Sequence, residues 1–231
     1  MLKKAILILL FCEVEILGVW KPLRKLYFKA TDFTHGIQGQ EEKILDFYKL
    51  WAFCYDFTVN LDPAYSREMK KMIDSVVKQD DIVLDIGCGT GLGTIYAAKI
   101  AEKVIGVDIS SDMVEKLKKK IYRKDIKNID LIVGKFPESI SRNIKFNSII
   151  SSFTIVHLTK QQRKTFYKHI FDYLVNKGVL GLFSAQGEFA SSFETKNEII
   201  DNLKSAGCQQ FKIDDVSDAY RIVRAEKIEK A

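Results

Sequence analysis

The chain is poor in the residues that cross-link a fold or break it. Its four cysteines, Cys12, Cys54, Cys88 and Cys208, stand alone, with no C-x-x-C pair and no histidine at ligand spacing. Neither a zinc site nor a disulfide framework is suggested, so no metal is expected and a reducing, cytoplasmic setting is. Only three prolines occur in 231 residues, which argues against long disordered linkers, and neither an internal repeat nor a low-complexity segment is present. Apolar runs are short as well. The longest, Ala5 to Trp20, makes about 24 Å of helix against a hydrocarbon core of about 30 Å. It also contains Glu13 and Glu15, and an acid at the bilayer centre costs on the order of 2–3 kcal/mol. A spanning helix is not expected. Lys3, Lys4 and "AILILLF" resemble a signal peptide, yet no small-x-small cleavage site follows. Two readings remain: a peripheral membrane contact through residues 1–25, or a helix packed on the body of the protein.

What is present reads as one well-cored domain, residues 42–231, behind an apolar and basic extension, residues 1–41. A hydrophobic content of 47% with 29% charged residues is that of an ordinary globular chain. The net charge of +6 invites a nucleic-acid reading, but the densest run, "KLKKKIYRK", follows a helical pattern and reads more simply as a solvated face. Nucleic acid is not indicated on this ground.

From Asp81 onward, short β-branched runs alternate with helical stretches. The strands are "DIVLDIG", "KVIGVDI", "IDLIVGK", "FNSIISSF" and "VLGLFSA", then "CQQFKIDDV" and "AYRIVRAEK" at hairpin spacing. Such alternation predicts an α/β fold: a Rossmann-like, mostly parallel sheet of seven strands with helices on both faces and a C-terminal antiparallel hairpin. Ser110 or Ser111 is expected to cap the helix after the second strand. In "TKQQRKTFYKHIFDYLVNKG" an apolar face at Phe166, Ile170 and Leu174 predicts a helix stopped by Gly178. Upstream, "EEKILDFYKLWAFCYDF" and "LDPAYSREMKKMIDSVVKQ" predict two helices that cap the sheet.

The stretch "DIVLDIGCGTGLG" carries the chemistry. A dinucleotide fingerprint requires G-x-G-x-x-G, but Leu92 or Thr94 stands where the third glycine belongs, and no G-K-[ST] follows for a P-loop. The spacing present is G-x-G-x-G, at Gly87, Gly89 and Gly91, behind the acid Asp85. A carboxylate at the end of the first strand repels a pyrophosphate and attracts an ammonium. The second strand closes on Asp108, placed to accept the two hydroxyl protons of a ribose diol. An amino acid end, a ribose and no phosphate describe S-adenosyl-L-methionine.

"VLDIGCGTG" followed by "VIGVDIS" resembles the class I S-adenosylmethionine-dependent methyltransferases from about Glu42 to the C-terminus. The resemblance implies that Asp85, Gly87, Cys88, Gly89 and Gly91 hold the methionine end, that Asp108 and Ile109 hold the ribose and adenine, and that Met113 and Phe136 neighbour the adenine. It also marks two departures. Lys135 stands where many relatives carry an acid that accepts from the adenine amino group, which leaves backbone or Phe136 to read the base. Asn147 replaces the usual acid of the fourth strand.

For the acceptor, no [DNS]-P-P-[YF] sequence closes the fourth strand and no cysteine lies near it. Amino-group methylation of adenine or glutamine and covalent attack on a pyrimidine are therefore not indicated. The segment "FYKLWAFCYDFTVNLDPAYSREM" is similar to the region before the core in methyltransferases of the ubiquinone/menaquinone and phospholipid type. That resemblance implies Tyr55 and Asp56 over the cofactor and acceptor, with Trp51, Phe53 and Phe57 as an apolar lid. His157 is the candidate base or donor. A small-molecule or lipid-like acceptor is the expectation; an RNA or protein substrate, or a cofactor-binding protein without activity, are the alternatives.

Overall fold

A computed structural model describes residues 36–52, 55–60, 62–186 and 192–228. The expectations for residues 1–25 and for Phe53 lie outside the described residues, as do the side chains of Trp51 and Phe57. No helix among the described residues is long and apolar enough to cross a membrane.

The chain runs α1 (Glu41–Trp51), α2 (Tyr55–Asn60), α3 (Pro63–Val76), β1 (Ile82–Ile86), α4 (Leu92–Ala97), β2 (Lys103–Asp108), α5 (Ser111–Arg123), β3 (Ile129–Val133), β4 (Phe146–Ser152), α6 (Lys160–Tyr173), β5 (Leu174–Ala185), α7 (Lys196–Ser205), β6 (Gln210–Val216) and β7 (Tyr220–Glu226). The seven strands lie in the order β3-β2-β1-β4-β5-β7-β6. The first five are parallel, and β7 runs antiparallel to both β5 and β6. Strand order reverses between β1 and β4, so their carboxyl ends splay open into the crevice where such sheets bind ligands.

Alternation along β1 sorts its residues between the two layers of core. Val83 joins the cluster of Met69, Met72 and Ile73 from α3, whereas Leu84 and Ile86 join Phe166, Ile170 and Leu203 from α6 and α7. Helix starts follow from local chemistry: Asp62 accepts from the Ala64 amide with Pro63 in the first turn, and Ser110 accepts from the Met113 amide. Thr159 and Thr195 each close a capping box, with Gln162 and Glu198 respectively.

Two expectations are corrected. Helix α6 stops at Tyr173, not at Gly178: Leu174 is 1% exposed and pairs with Phe146 as the first residue of β5. Burying Leu174 in the sheet outweighs one more turn of helix. The basic run on α5 is also more than a solvated face. Lys116 Nζ donates to the Ala52 carbonyl, and Lys120 Nζ pairs with Asp56 (2.6 Å) and donates to the Thr90 carbonyl (2.9 Å). Those two lysines dock α1 and α2 onto α5 and the glycine loop, while Lys118 and Lys119 stay exposed.

Candidate functional site

A cavity opens at the carboxyl ends of β1, β2 and β4, beneath the cap formed by α1 and α2. Gly87, Gly89, Asp108, Ile109, Met113, Lys135 and Phe136 line its floor, and Glu41, Ile44, Tyr48 and Tyr55 descend from the cap. The turn after β4 closes one side with Phe153, Thr154, His157 and Leu158.

The three glycines of the loop are glycines for different reasons. A Cβ on Gly87 would lie 1.9 Å from Thr154 Oγ1, and one on Gly91 would lie 2.0 Å from Leu117 Cδ1. Both positions have positive φ, +73° and +88°, so backbone and space each demand glycine there. Gly89, with φ +50°, has nothing within 4 Å of its hypothetical Cβ. Only its bare face is turned to open space, as a ligand pressed on the backbone requires.

Asp108 ties this loop to β2. Its Oδ2 accepts from the Gly89 amide (2.8 Å) and its Oδ1 from the Ser110 amide (2.9 Å). Burial raises its pKa, and those two amide bonds oppose the rise. Each oxygen keeps a lone pair toward the cavity, enough for the two hydroxyls of a diol. Asp85 sits behind the loop and does not line the cavity. Its Oδ2 accepts from Thr94 Oγ1 (2.7 Å), and burial pushes its pKa up to about 7. Cys88 likewise turns away, packing with Val114 and Leu117 under α5, and Gly91 serves that same packing.

Ile109, Met113 and Phe136 make an apolar slot beside Asp108. Phe136 is held edge-on to Phe166 at 5.7 Å. Lys135 pairs through Nζ with Glu41 Oε2 at 3.1 Å, so a cap carboxylate stands at the place where the sequence shows a lysine. The cap also reaches the loop through Asp56, which accepts from Thr90 Oγ1 (2.6 Å). Burial opposes its ionisation, but hydrogen bonds from Lys120 and Thr90 hold its carboxyl below the usual range.

On the acceptor side, Tyr48 Oη and His157 Nε2 lie 2.6 Å apart. His157 Nδ1 is buried without a partner among the described residues, and burial pushes the imidazole pKa down to about 4. The ring is therefore neutral near pH 7, with one nitrogen engaged and one available. Tyr55 is hydrogen-bonded to Tyr65, and burial pushes its pKa up to about 12, so it remains a phenol that can donate but not act as a base. Tyr48, Glu41 and Phe153 carry no motif that singles them out in the sequence. Phe153 has one local signal visible only in the fold, a φ of +57° at the end of β4, which a bulky residue rarely adopts.

Residues 83–178 match the family described as a methyltransferase domain. Over 148 residues the chain is 29% identical to an uncharacterized RNA methyltransferase of Clostridium tetani, covering 59% of this chain but 32% of that relative. It is 25% identical over 187 residues to an uncharacterized methyltransferase of Oceanobacillus iheyensis, covering 79% of this chain and 84% of that one. The chain thus spans about a third of the length of the first relative and most of the second. Among solved structures, the magnesium protoporphyrin IX methyltransferase of Synechocystis with bound S-adenosylmethionine superposes with a TM-score of 0.65 at 16% identity, over 81% of this chain and 96% of that one. The open face of Gly89, the paired lone pairs of Asp108 and the apolar slot fit that cofactor.

Proposed function

Because the chain carries a class I S-adenosylmethionine-dependent methyltransferase domain, we propose that it methylates a small, largely apolar acceptor at an atom that loses a proton in the reaction. The observation that carries this reading is the lining of the cavity. Beyond the cofactor residues its described lining sets Ile44, Tyr48, Tyr55, Phe153, Leu158 and Phe166 beside the uncharged polar Ser152, Thr154, His157 and Gln162, and the one cationic side chain among the described lining, Lys135, is already paired with Glu41. An RNA substrate, which the name of the Clostridium relative suggests, would bring phosphates to a cavity whose described lining offers no cation outside the Glu41 pair.

The bound cofactor supplies an electrophilic methyl on a sulfonium. What the protein adds is position and a proton acceptor. In the working tautomer His157 Nε2–H donates to Tyr48 Oη, leaving the Nδ1 lone pair to accept a hydrogen bond from the acceptor's hydroxyl, carboxyl or amine. The acceptor's proton would pass to Nδ1, so the His157 imidazole would take up, as imidazolium, the positive charge that a sulfonium cofactor held by Gly89, Asp108 and the Ile109–Met113–Phe136 slot would give up. That offsets the burial which makes the same imidazolium costly in the free protein.

Incubation of the protein with methyl-labelled cofactor and fractionated lipid, small-molecule, RNA and protein extracts tests the assignment. Label is expected in the organic-soluble or small-molecule fraction. Label confined to RNA or protein overturns it. With an acceptor in hand, His157→Gln should lower kcat by about 100-fold or more, as loss of a general base does, with the affinity for S-adenosylhomocysteine held within about threefold.

A further inference from the structure

We propose that the Glu41–Lys135 pair reads the adenine of the cofactor, so that the cap helix supplies base recognition. The inference rests on the cofactor reading above and extends it to a residue outside the strand–loop core.

Asp108 fixes where a ribose must lie, and the Gly134 amide donates to the Asp108 carbonyl (2.8 Å), which sets the start of the Lys135 loop directly beside it. The Lys135 amide in turn donates to Ser139 Oγ (3.0 Å), holding that loop in place. Next to Asp108 the slot of Ile109, Met113 and Phe136 offers flat apolar walls for a base. The charged side chains lining the cavity are Asp108, Glu41 and Lys135. With Asp108 committed to the diol, the charge that the described lining offers to the polar edge of the base is that of the pair.

The chemistry matches in both senses. Adenine presents an exocyclic amino donor flanked by ring-nitrogen acceptors. The pair presents a carboxylate acceptor beside an ammonium donor, 3.1 Å apart, each about half exposed and lining the cavity. A hypoxanthine base reverses the edge, with a carbonyl oxygen where the amino group stood and an N–H at the neighbouring ring nitrogen. It would set oxygen against the Glu41 carboxylate. Specificity of this kind comes from leaving a polar group unpaired with the wrong ligand. Because Glu41 is the first residue of α1, the same contact couples cofactor binding to seating of the cap.

Calorimetric titration of the full chain with S-adenosylhomocysteine and with S-inosylhomocysteine tests the proposal without any turnover. The wild type should prefer the adenine form by about tenfold, the scale of one hydrogen bond at a half-exposed pair that water can reach. In Glu41→Ala the preference should fall to about twofold or less, with the adenine form bound about fivefold more weakly. Glu41→Gln keeps the shape of the side chain and should also lose most of the preference, so either variant carries the test. A preference unchanged in both variants overturns the proposal while leaving the cofactor site intact. If the wild type binds neither compound, the cofactor reading fails instead, and this one with it.

Discussion

The floor of the cavity is locked by atoms that have nowhere else to go, whereas its roof adds polar contacts near solvent to a few buried side chains, Ile44 and Ala52 among them. Below, the Thr154 side chain fills the space over Gly87, Leu117 fills that over Gly91, and Asp108 staples the loop to β2. Above, α1 and α2 reach the core through Glu41–Lys135, Asp56–Lys120 and Tyr48–His157, of which the first is half exposed on both sides. The difference teaches which parts of the site are preformed. A close-packed floor holds the cofactor's geometry before it arrives. The ion pairs of the roof can be broken at small cost, because such pairs contribute little in water, so its hold rests on the buried Ile44 and Ala52 and on Tyr48–His157.

The sharpest way to break this comparison is to add one methyl group to the floor. Gly87→Ala and Gly91→Ala should each destabilise the protein by about 3 kcal/mol or more, since overpacking and a left-handed backbone act together there. Gly89→Ala meets no neighbour and should cost about 1 kcal/mol, the backbone penalty alone, while sharply weakening cofactor binding. Denaturant titrations of the three variants check this. Equal losses at all three would mean that Gly89 too is constrained by the protein, not by a ligand.

A second test separates the two regions by pH. Asp85 lies in the floor with a pKa near 7 against an ordinary 3.8, so its contribution to stability is full below pH 3.8 and is lost as pH rises toward 7. His157 lies against the roof with a pKa near 4 against 6.5, so its contribution is full above pH 6.5 and is lost as pH falls toward 4. Between about pH 4 and 6.5 the two oppose each other, each with a slope of up to about 1.4 kcal/mol per pH unit. Asp85→Asn should therefore make stability rise with pH across that window relative to the wild type, and His157→Gln should make it fall. The wild-type profile in either variant would show that the group concerned is not buried as described.

The smallest effect belongs to the roof. Lys120→Ala removes the partner of Asp56 and should cost less than about 1 kcal/mol in melting experiments, with a loss that shrinks as salt is added. A loss as large as those at Gly87 or Gly91 would make the cap part of the rigid core.

How much of this was legible depended on the distance between partners. The seven strands, the hairpin and the helix caps follow patterns that repeat within a few residues, and the strand ends fall close to where alternation stops. The glycine spacing and Asp108 lie within one β-α-β unit, so Gly87, Gly89 and Asp108 are found together at the cavity, whereas Asp85, expected to meet the ammonium, is turned behind the loop onto Thr94 Oγ1. The end of α6 did not follow from pattern, because Leu174 extends the helical face of Phe166 and Ile170 but takes its partner, Phe146, from β4.

The sequence by itself determined the sheet, the crevice at its strand ends and the cofactor class, because periodicity, capping and glycine spacing are local properties of the chain. Only the tertiary structure decided which side chains complete the site. Tyr48 meets His157 across 109 residues and Glu41 meets Lys135 across 94, and nothing in either segment alone names its partner. Those pairs exist because the cap docks over the carboxyl ends of the strands, bringing polar groups from distant segments into one cavity, where burial of His157 strengthens its bond to Tyr48 while Glu41–Lys135 stays half exposed.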